Sequence, residues 1–296
     1  MITLSDERGL IKSPQSWDEI ESLPGYVKGL DPSEHKLKEI IGSYHLKDIH
    51  CGLTCNQPHD KGYIAVTESG AVTNLGQDCG RKYFGADFTT FANKHHRDLT
   101  AWNNRNLLMS FDLQLADLEQ EIDILRQGER GANWIYKTSQ LLISIGKNTP
   151  EEVVKAVKAM VKSRSNVLKK ERVATEKEVE VLKLSQSKKI YYVEDEIAHI
   201  AGLEVLYEEN DLKSLIIQEL QENIGAFKSV NIDELSHSEL SRLAKWVNSI
   251  EETKERIKNS LTAGTSLLKY ENLKPFLTVI NDKEDIKKFD AFIKHF

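Results

Sequence analysis

Cysteine is scarce in this sequence: Cys51, Cys55 and Cys79 are the only three in 296 residues. An odd and small number excludes a disulfide framework and fits thiols held reduced in a cytoplasm. Long apolar runs are missing too. No stretch reaches the ~18 apolar residues of a membrane helix. The N-terminus, Met1-Ile2-Thr3-Leu4-Ser5-Asp6-Glu7-Arg8, has neither the basic flank nor the apolar core of a signal peptide. A cytoplasmic protein without membrane contact is therefore expected. No Gly-rich phosphate loop, nucleophile elbow, HExxH helix or paired-acid motif occurs, which lowers the expectation of catalysis. There is no excess of positive charge: 40 Lys and Arg against 46 Asp and Glu give a net charge of −6. That balance argues against a chain that coats nucleic acid or anionic membrane with its whole surface.

What the sequence does contain is concentrated in one window. All three cysteines fall in Cys51-Gly-Leu-Thr-Cys55-Asn-Gln-Pro-His59 and Gly76-Gln-Asp78-Cys79-Gly80. Between them, Tyr63–Val66 and Ala71–Leu75 flank Thr67-Glu68-Ser69-Gly70 and read as a β-hairpin. Zinc takes about four nitrogen or sulfur ligands in a tetrahedron. Two cysteines on a tight turn can grip one edge, and a hairpin can bring a third back to it. Asp78 is a candidate N-cap, which places Cys79 in the first turn of a helix, where the thiolate is favoured over the thiol. Knuckle, hairpin and helix start is the treble-clef order. Cys51, Cys55, His59 and Cys79 are the expected ligand set for one structural Zn2+, with His50, His95 and His96 as competitors for the fourth place. A catalytic zinc would need an open position and a nearby general base, and three thiolates more often form a closed site.

The rest reads as mainly α. Ser16-Trp17-Asp18-Glu19 has capping-box spacing, and Asp31-Pro32-Ser33-Glu34 predicts a helix running through Ile41 to stop at Gly42. Leu108, Phe111, Leu115, Leu118, Ile122 and Leu125 form an apolar seam, a short coiled coil or the buried face of a helical hairpin. A helix is predicted from Trp134 to Ile145. Thr149-Pro150-Glu151-Glu152 starts another, expected to run to about Ser185 as a long exposed arm, because its middle is polar nearly all round. A β-like run at 190–193 marks a boundary. Helices are then predicted over 195–208, 211–228, from Ser236 to about Leu261, and from Asp282 to the end. The expected organisation is a zinc-bearing N-terminal region (1–100, knuckle and hairpin at 51–85), long helices (101–187) and a C-terminal helical domain (188–296).

Two surface features suggest partners. Lys155, Lys158, Lys162, Lys169 and Arg172 fall close to one face of the predicted arm helix and could track a phosphate backbone, although a solvated face is the favoured reading. Cys51 to Thr100 carries as many acids as bases, unlike a typical nucleic-acid finger. Tyr191 and Tyr192 are candidate anchors for a protein partner.

The pattern Cys-Gly-x-x-Cys…His…Gly-Tyr-Ile…Asn-Leu-Gly-x-x-Cys-Gly…Phe-Gly at residues 51–85 resembles a zinc-binding segment of uncharacterised bacterial and phage proteins. In size and layout the whole chain is similar to phage proteins that counter the Gabija defence system. The shared features are a compact front, a long arm, a helical remainder, an acidic balance and no catalytic motif. That resemblance implies a non-enzymatic homo-oligomer in the host cytoplasm that binds a bacterial defence nuclease complex and blocks its access to DNA. It carries over no binding residue.

Overall fold

A computed structural model describes residues 1–5, 11–181 and 191–296. The described chain is mainly α with a small antiparallel sheet, and it divides into two compact units. The first comprises Met1–Phe111 and Asn231–Lys245, the second Asp112–Val230 and Trp246–Phe296.

The first unit is built on a five-stranded antiparallel sheet in the order β2-β1-β3-β4-β5, with β1 Ile2–Ser5, β2 Ile11–Lys12, β3 Leu37–His50, β4 Pro58–Thr67 and β5 Val72–Gly76. The predicted hairpin is β4–β5, registered Tyr63 to Leu75 and Val66 to Val72. The predicted helix ending at Gly42 is instead β3. Its expected cap acts locally: Asp31 Oδ1 accepts from the backbone N–H (2.9 Å) and hydroxyl (2.7 Å) of Ser33, closing a turn. Beyond that turn, Ile40 and Tyr44 are buried in the sheet. A bulge between Ile40 and Gly42 turns β3 over, so Ile40 packs on one face of the sheet and Tyr44 on the other.

The two faces are covered by different helices. Ile64, Tyr44 and Val72 pack against Ile20 of α1 (Trp17–Glu21). The start of α1 follows its capping box, with Glu19 Oε1 accepting from the backbone N–H groups of Gln15 and Ser16. On the other face, Ile40, Ala65 and Leu75 pack with Leu53, Phe88 and Ala92. Phe88 and Ala92 lie on α2 (Gln77–Asp112), which is kinked at Gly85, where φ is +53°. This left-handed turn suits glycine, which lacks the Cβ that penalises it. It lets the short stretch at Gln77 and the long stretch after it take different directions.

The second unit is helical with one hairpin. Its elements are α3 (Leu115–Gln127), α4 (Ala132–Leu142), α5 (Glu151–Ser163), β6 (Val167–Val173), α6 (Glu176–Val181), β7 (Tyr192–His199), a π-helix at Ser214–Gln221, α7 (Glu222–Lys228), α8 (His237–Leu267, which begins in the first unit), α9 (Tyr270–Leu273) and α10 (Lys283–Ile293). Two start signals work as predicted. Ser236 and Glu239 cap α8 reciprocally, and Asp282 accepts from the N–H groups of Glu284 and Asp285.

The long arm helix is not formed. The α5 helix stops at Arg164, which takes a left-handed conformation (φ +52°), and residues 167–173 pair antiparallel with β7. The cause lies in the sequence on both sides of the break. Val167 and Val173 favour a strand, and Tyr192, Val193 and Ile197 do the same on the partner. For the same reason the predicted helix over 195–208 begins as strand, up to His199. The part of the arm prediction between 182 and 190 lies outside the described residues. The Leu108–Leu125 seam is cut at Leu113, which is 86% exposed. Leu108 and Phe111 before that break, and Leu115, Leu118 and Ile122 after it, are buried.

Candidate metal centre

The three cysteines converge. Cys55 Sγ and Cys79 Sγ lie 3.3 Å apart, and all three sulfurs fall within 4.8 Å of one another. Cys51 is buried, while Cys55 and Cys79 are half-buried at the rim of the first unit's core. The backbone explains the convergence. Cys51 follows the end of β3, and its N–H donates to Gln57 O (2.9 Å), folding residues 51–57 into a tight knuckle. The N–H of Asn56, in a left-handed conformation (φ +46°), donates to Leu53 O (3.1 Å) and turns the chain back. Gly52 lies against β5, its N–H donating to Asn74 O (2.7 Å). A Cβ at Gly52 would sit 2.7 Å from Asn74 Oδ1, so the knuckle closes on the sheet only with glycine there. Cys79 is the third residue of α2.

The donor chemistry fits a thiophilic metal ion. A tetrahedral ion with metal–sulfur bonds of about 2.3 Å spaces its sulfurs about 3.8 Å apart, and these thiols already stand at that scale. Three thiols this close cannot all ionise without a cation. Burial pushes Cys79 up to about 12, with further contributions from its hydrogen bond to Cys55 and from the charges of its neighbours. Burial also raises Cys51, partly offset by the Leu53 N–H. At Cys55 burial is outweighed by hydrogen bonds from the Gln57 N–H and from the other two thiols, so its pKa is lowered. Burial thus works against ionisation of the group as a whole, and a divalent cation would favour the thiolate at all three.

His59 does not join the group, contrary to the four-ligand expectation. It lies on β4, where its Nε2 is 2.5 Å from Tyr44 Oη and its Nδ1 is 3.2 Å from Gln57 O. Its ring packs on the strand backbone: a Cβ at Gly76 would lie 3.0 Å from His59 Cγ. The competitors are also engaged elsewhere. His50 Nδ1 pairs with Asn56 O at 3.1 Å, buried His95 pairs with Ser43 Oγ at 3.2 Å, and His96 Nε2 with Tyr63 Oη at 2.8 Å.

Behind the cysteines runs a polar network that the sequence reading missed. Asn74 Nδ2 donates to Tyr44 Oη (3.0 Å) and to His50 O (2.8 Å), while Tyr26 Oη donates to Asn74 Oδ1 (2.7 Å). Burial pushes Tyr26 up to about 12 and raises Tyr44 further, so both phenols stay protonated. The network ties the knuckle to β3 and β5 through satisfied bonds. Its one visible signal was an asparagine in the middle of the strand run Val72-Thr73-Asn74-Leu75.

The expected partner-binding residues are dispersed. Lys155, Lys158 and Lys162 lie on α5, and Lys169 and Arg172 on β6, so they do not form one helix face. Lys155 is paired with Glu151 (2.6 Å) and Lys169 with Glu194 (3.0 Å). Arg172 is held by Glu178 and Asp195 (both 2.6 Å). Lys158 and Lys162 are exposed without an ion pair among the described residues. Tyr192 is 64% exposed opposite Val173, whereas Tyr191 is half-buried.

No helix is long and apolar enough to cross a membrane among the described residues. No family model matches the chain, and no curated protein or solved structure matches it. The functional reading therefore stands on the chain's own residues.

Proposed function

We propose that Cys51, Cys55 and Cys79 hold one Zn2+ as a structural centre, and that the protein acts by binding a protein partner rather than by catalysis. The observation that carries the metal reading is the convergence of three thiols, from a knuckle and a helix start, within 4.8 Å. Three thiolates around a divalent ion leave a net negative site, which disfavours ionising a bound water and suits a structural role. The surrounding groups match that role, since Tyr44, Asn74 and His59 spend their hydrogen bonds on one another and on the backbone. The finer reading, inhibition of a bacterial defence nuclease complex by blocking its DNA site, rests on the resemblance in chain length, acidic balance and missing catalytic motifs, since the long arm of the shared layout is not formed. An acidic chain that competes with DNA for a basic surface is compatible with it.

Native mass spectrometry before and after strong chelation tests the metal. One zinc per chain is expected, lost together with unit-one order. A metal-free chain with intact structure overturns the assignment. Pull-down of a purified defence nuclease complex, with loss of its DNA cleavage, tests the partner. Intrinsic turnover abolished by a single substitution would overturn the non-catalytic reading.

A further inference from the structure

The second unit holds a cavity of about 220 Å³ between the C-terminal end of α3, the first turns of α4, and the stretch from Leu212 into the π-helix. Ala132, Leu212, Ile216 and Ile217 give it an apolar floor. Three cations stand around it: Arg126 from α3, Lys137 from α4, and Lys213 at the entry to the π-helix. No Asp or Glu lines it, and none of the three cations has an ion pair among the described residues. They share this with Lys158 and Lys162, whereas Lys155, Lys169, Arg172, Lys228, Lys254 and Arg256 are held by carboxylates. In a chain of net charge −6, three cations brought from separate segments around one apolar hollow are an uncompensated local field.

Two further features point the same way. The hollow is walled by a π-helix, Ser214–Gln221, a geometry found mostly as short insertions at functional sites. Asn133 and Tyr136 add hydrogen-bonding side chains at the rim, the small number of polar groups that orient a ligand over an apolar floor.

We propose that this cavity binds a small organic anion, a single acidic head on a compact apolar body. Arg126, Lys137 and Lys213 would meet the acid and Leu212, Ile216 and Ile217 the body. The volume is below the ~300–1,000 Å³ of sites for drug-sized ligands, so the body is about the size of one aromatic ring. A guanidinium can take an acid through two parallel N–H donors, which makes Arg126 the orienting group.

The experiment is a calorimetric and NMR titration of the full chain with phenyl phosphate and with phenylacetate. Inorganic phosphate and benzyl alcohol serve as the head alone and the body alone. Saturable binding of either aromatic acid supports the site, and the ratio between the two reports whether a phosphate or a carboxylate is preferred. Each half-probe should bind at least about tenfold more weakly. Lys137→Glu/Lys213→Glu changes two exposed side chains and should cut the affinity about tenfold or more while circular dichroism stays unchanged. Arg126→Lys, which keeps the charge, should lose less than Arg126→Glu. Equal binding by the wild type and the double variant overturns the proposal. So does phosphate binding as tightly as phenyl phosphate, or no saturation by either acid.

Discussion

The two units solve the problem of holding a chain together in different ways. The first depends on contacts made far apart in sequence: β1 pairs with β3 some 40 residues on, and Tyr26 reaches Asn74. Between Leu23 and Lys36 it has almost no regular structure and is held by scattered hydrogen bonds to distant residues, around the bridges of Tyr26 to Val72 and Leu30 to Leu53. The second is assembled from helices, whose backbone bonds are local, and a hairpin. Distant pairing incurs loop-closure entropy before any contact forms. A metal that joined the knuckle at 51–55 to Cys79 would add one more link between distant segments, much as a disulfide would. The thiol cluster thus lies in the unit that is built on distant strand pairings.

Removing the metal should have the largest effect, and it should fall on the first unit. Chelation, or Cys79→Ser, is expected to cost the first unit about 3 kcal/mol or more, given the ~10–16 kcal/mol with which zinc stabilises small finger modules. Hydrogen exchange should accelerate in β3, β4 and β5 and change little in β6 and β7. Equal protection in both sets after chelation would show that the first unit does not rest on the metal.

A pair of core truncations should also separate the two units. Phe88 and Phe276 are both fully buried, one in each unit. Either change to Ala should cost about 3–5 kcal/mol. Their effects on zinc should differ. The ring of Phe88 lies against Gly80, next to Cys79 in the first turn of α2, so close that a Cβ at Gly80 would overlap it. Phe88→Ala is expected to weaken zinc affinity and Phe276→Ala to leave it unchanged, as read by competition with a chromophoric chelator. Equal loss of affinity in both would separate the metal from the core that carries it.

Acid should also act on the first unit. His95 is buried at 5% exposure, and burial, with a smaller contribution from His96, pushes its pKa down to about 4. Unfolded, it titrates at its ordinary value of 6.5. Between those values the unfolded chain binds the proton and the folded chain does not. Stability from this group is therefore complete above about pH 6.5 and is lost as the pH falls toward 4, by on the order of 3 kcal/mol. His95→Gln should flatten that slope in urea melts taken across the window. An unchanged slope would place the acid sensitivity elsewhere.

How much of this could be read in advance follows from range. The hairpin, the three thiols, the capping signals at Ser16 and Ser236 and the helix start at Asp282 were legible because each is decided within a few residues. The β3 strand was not, because Asp31 offers a cap that serves a turn equally well, and only the pairing with β4 decides between them. The same holds for residues 163–173. Their charges look alike on a helix face, and the partner strand that claims them begins at Tyr192. The fourth ligand failed for a related reason. His59 has the right spacing from Cys55, but its strand carries it to Tyr44. The cations around the 220 Å³ cavity are spread from residue 126 to 213, with no periodicity to link them.

The smallest effect concerns the hairpin itself. Arg172 on β6 is clasped by Asp195 on β7 and by Glu178 on α6, and these hydrogen bonds raise its pKa and lower that of Glu178. All three side chains are substantially exposed, so solvent and salt screen the attraction. Their bonds also cross the only pairing these strands have among the described residues, where the sheet is two-stranded. Arg172→Ala should therefore speed amide exchange in β6 and β7 while leaving the global unfolding midpoint close to wild type, and raised salt should shrink even that difference. A midpoint drop approaching that of Phe276→Ala would mean that the hairpin is part of what holds the second unit together. That unit would then depend on a distant pairing of its own, and the contrast with the first would narrow to the presence of the thiols.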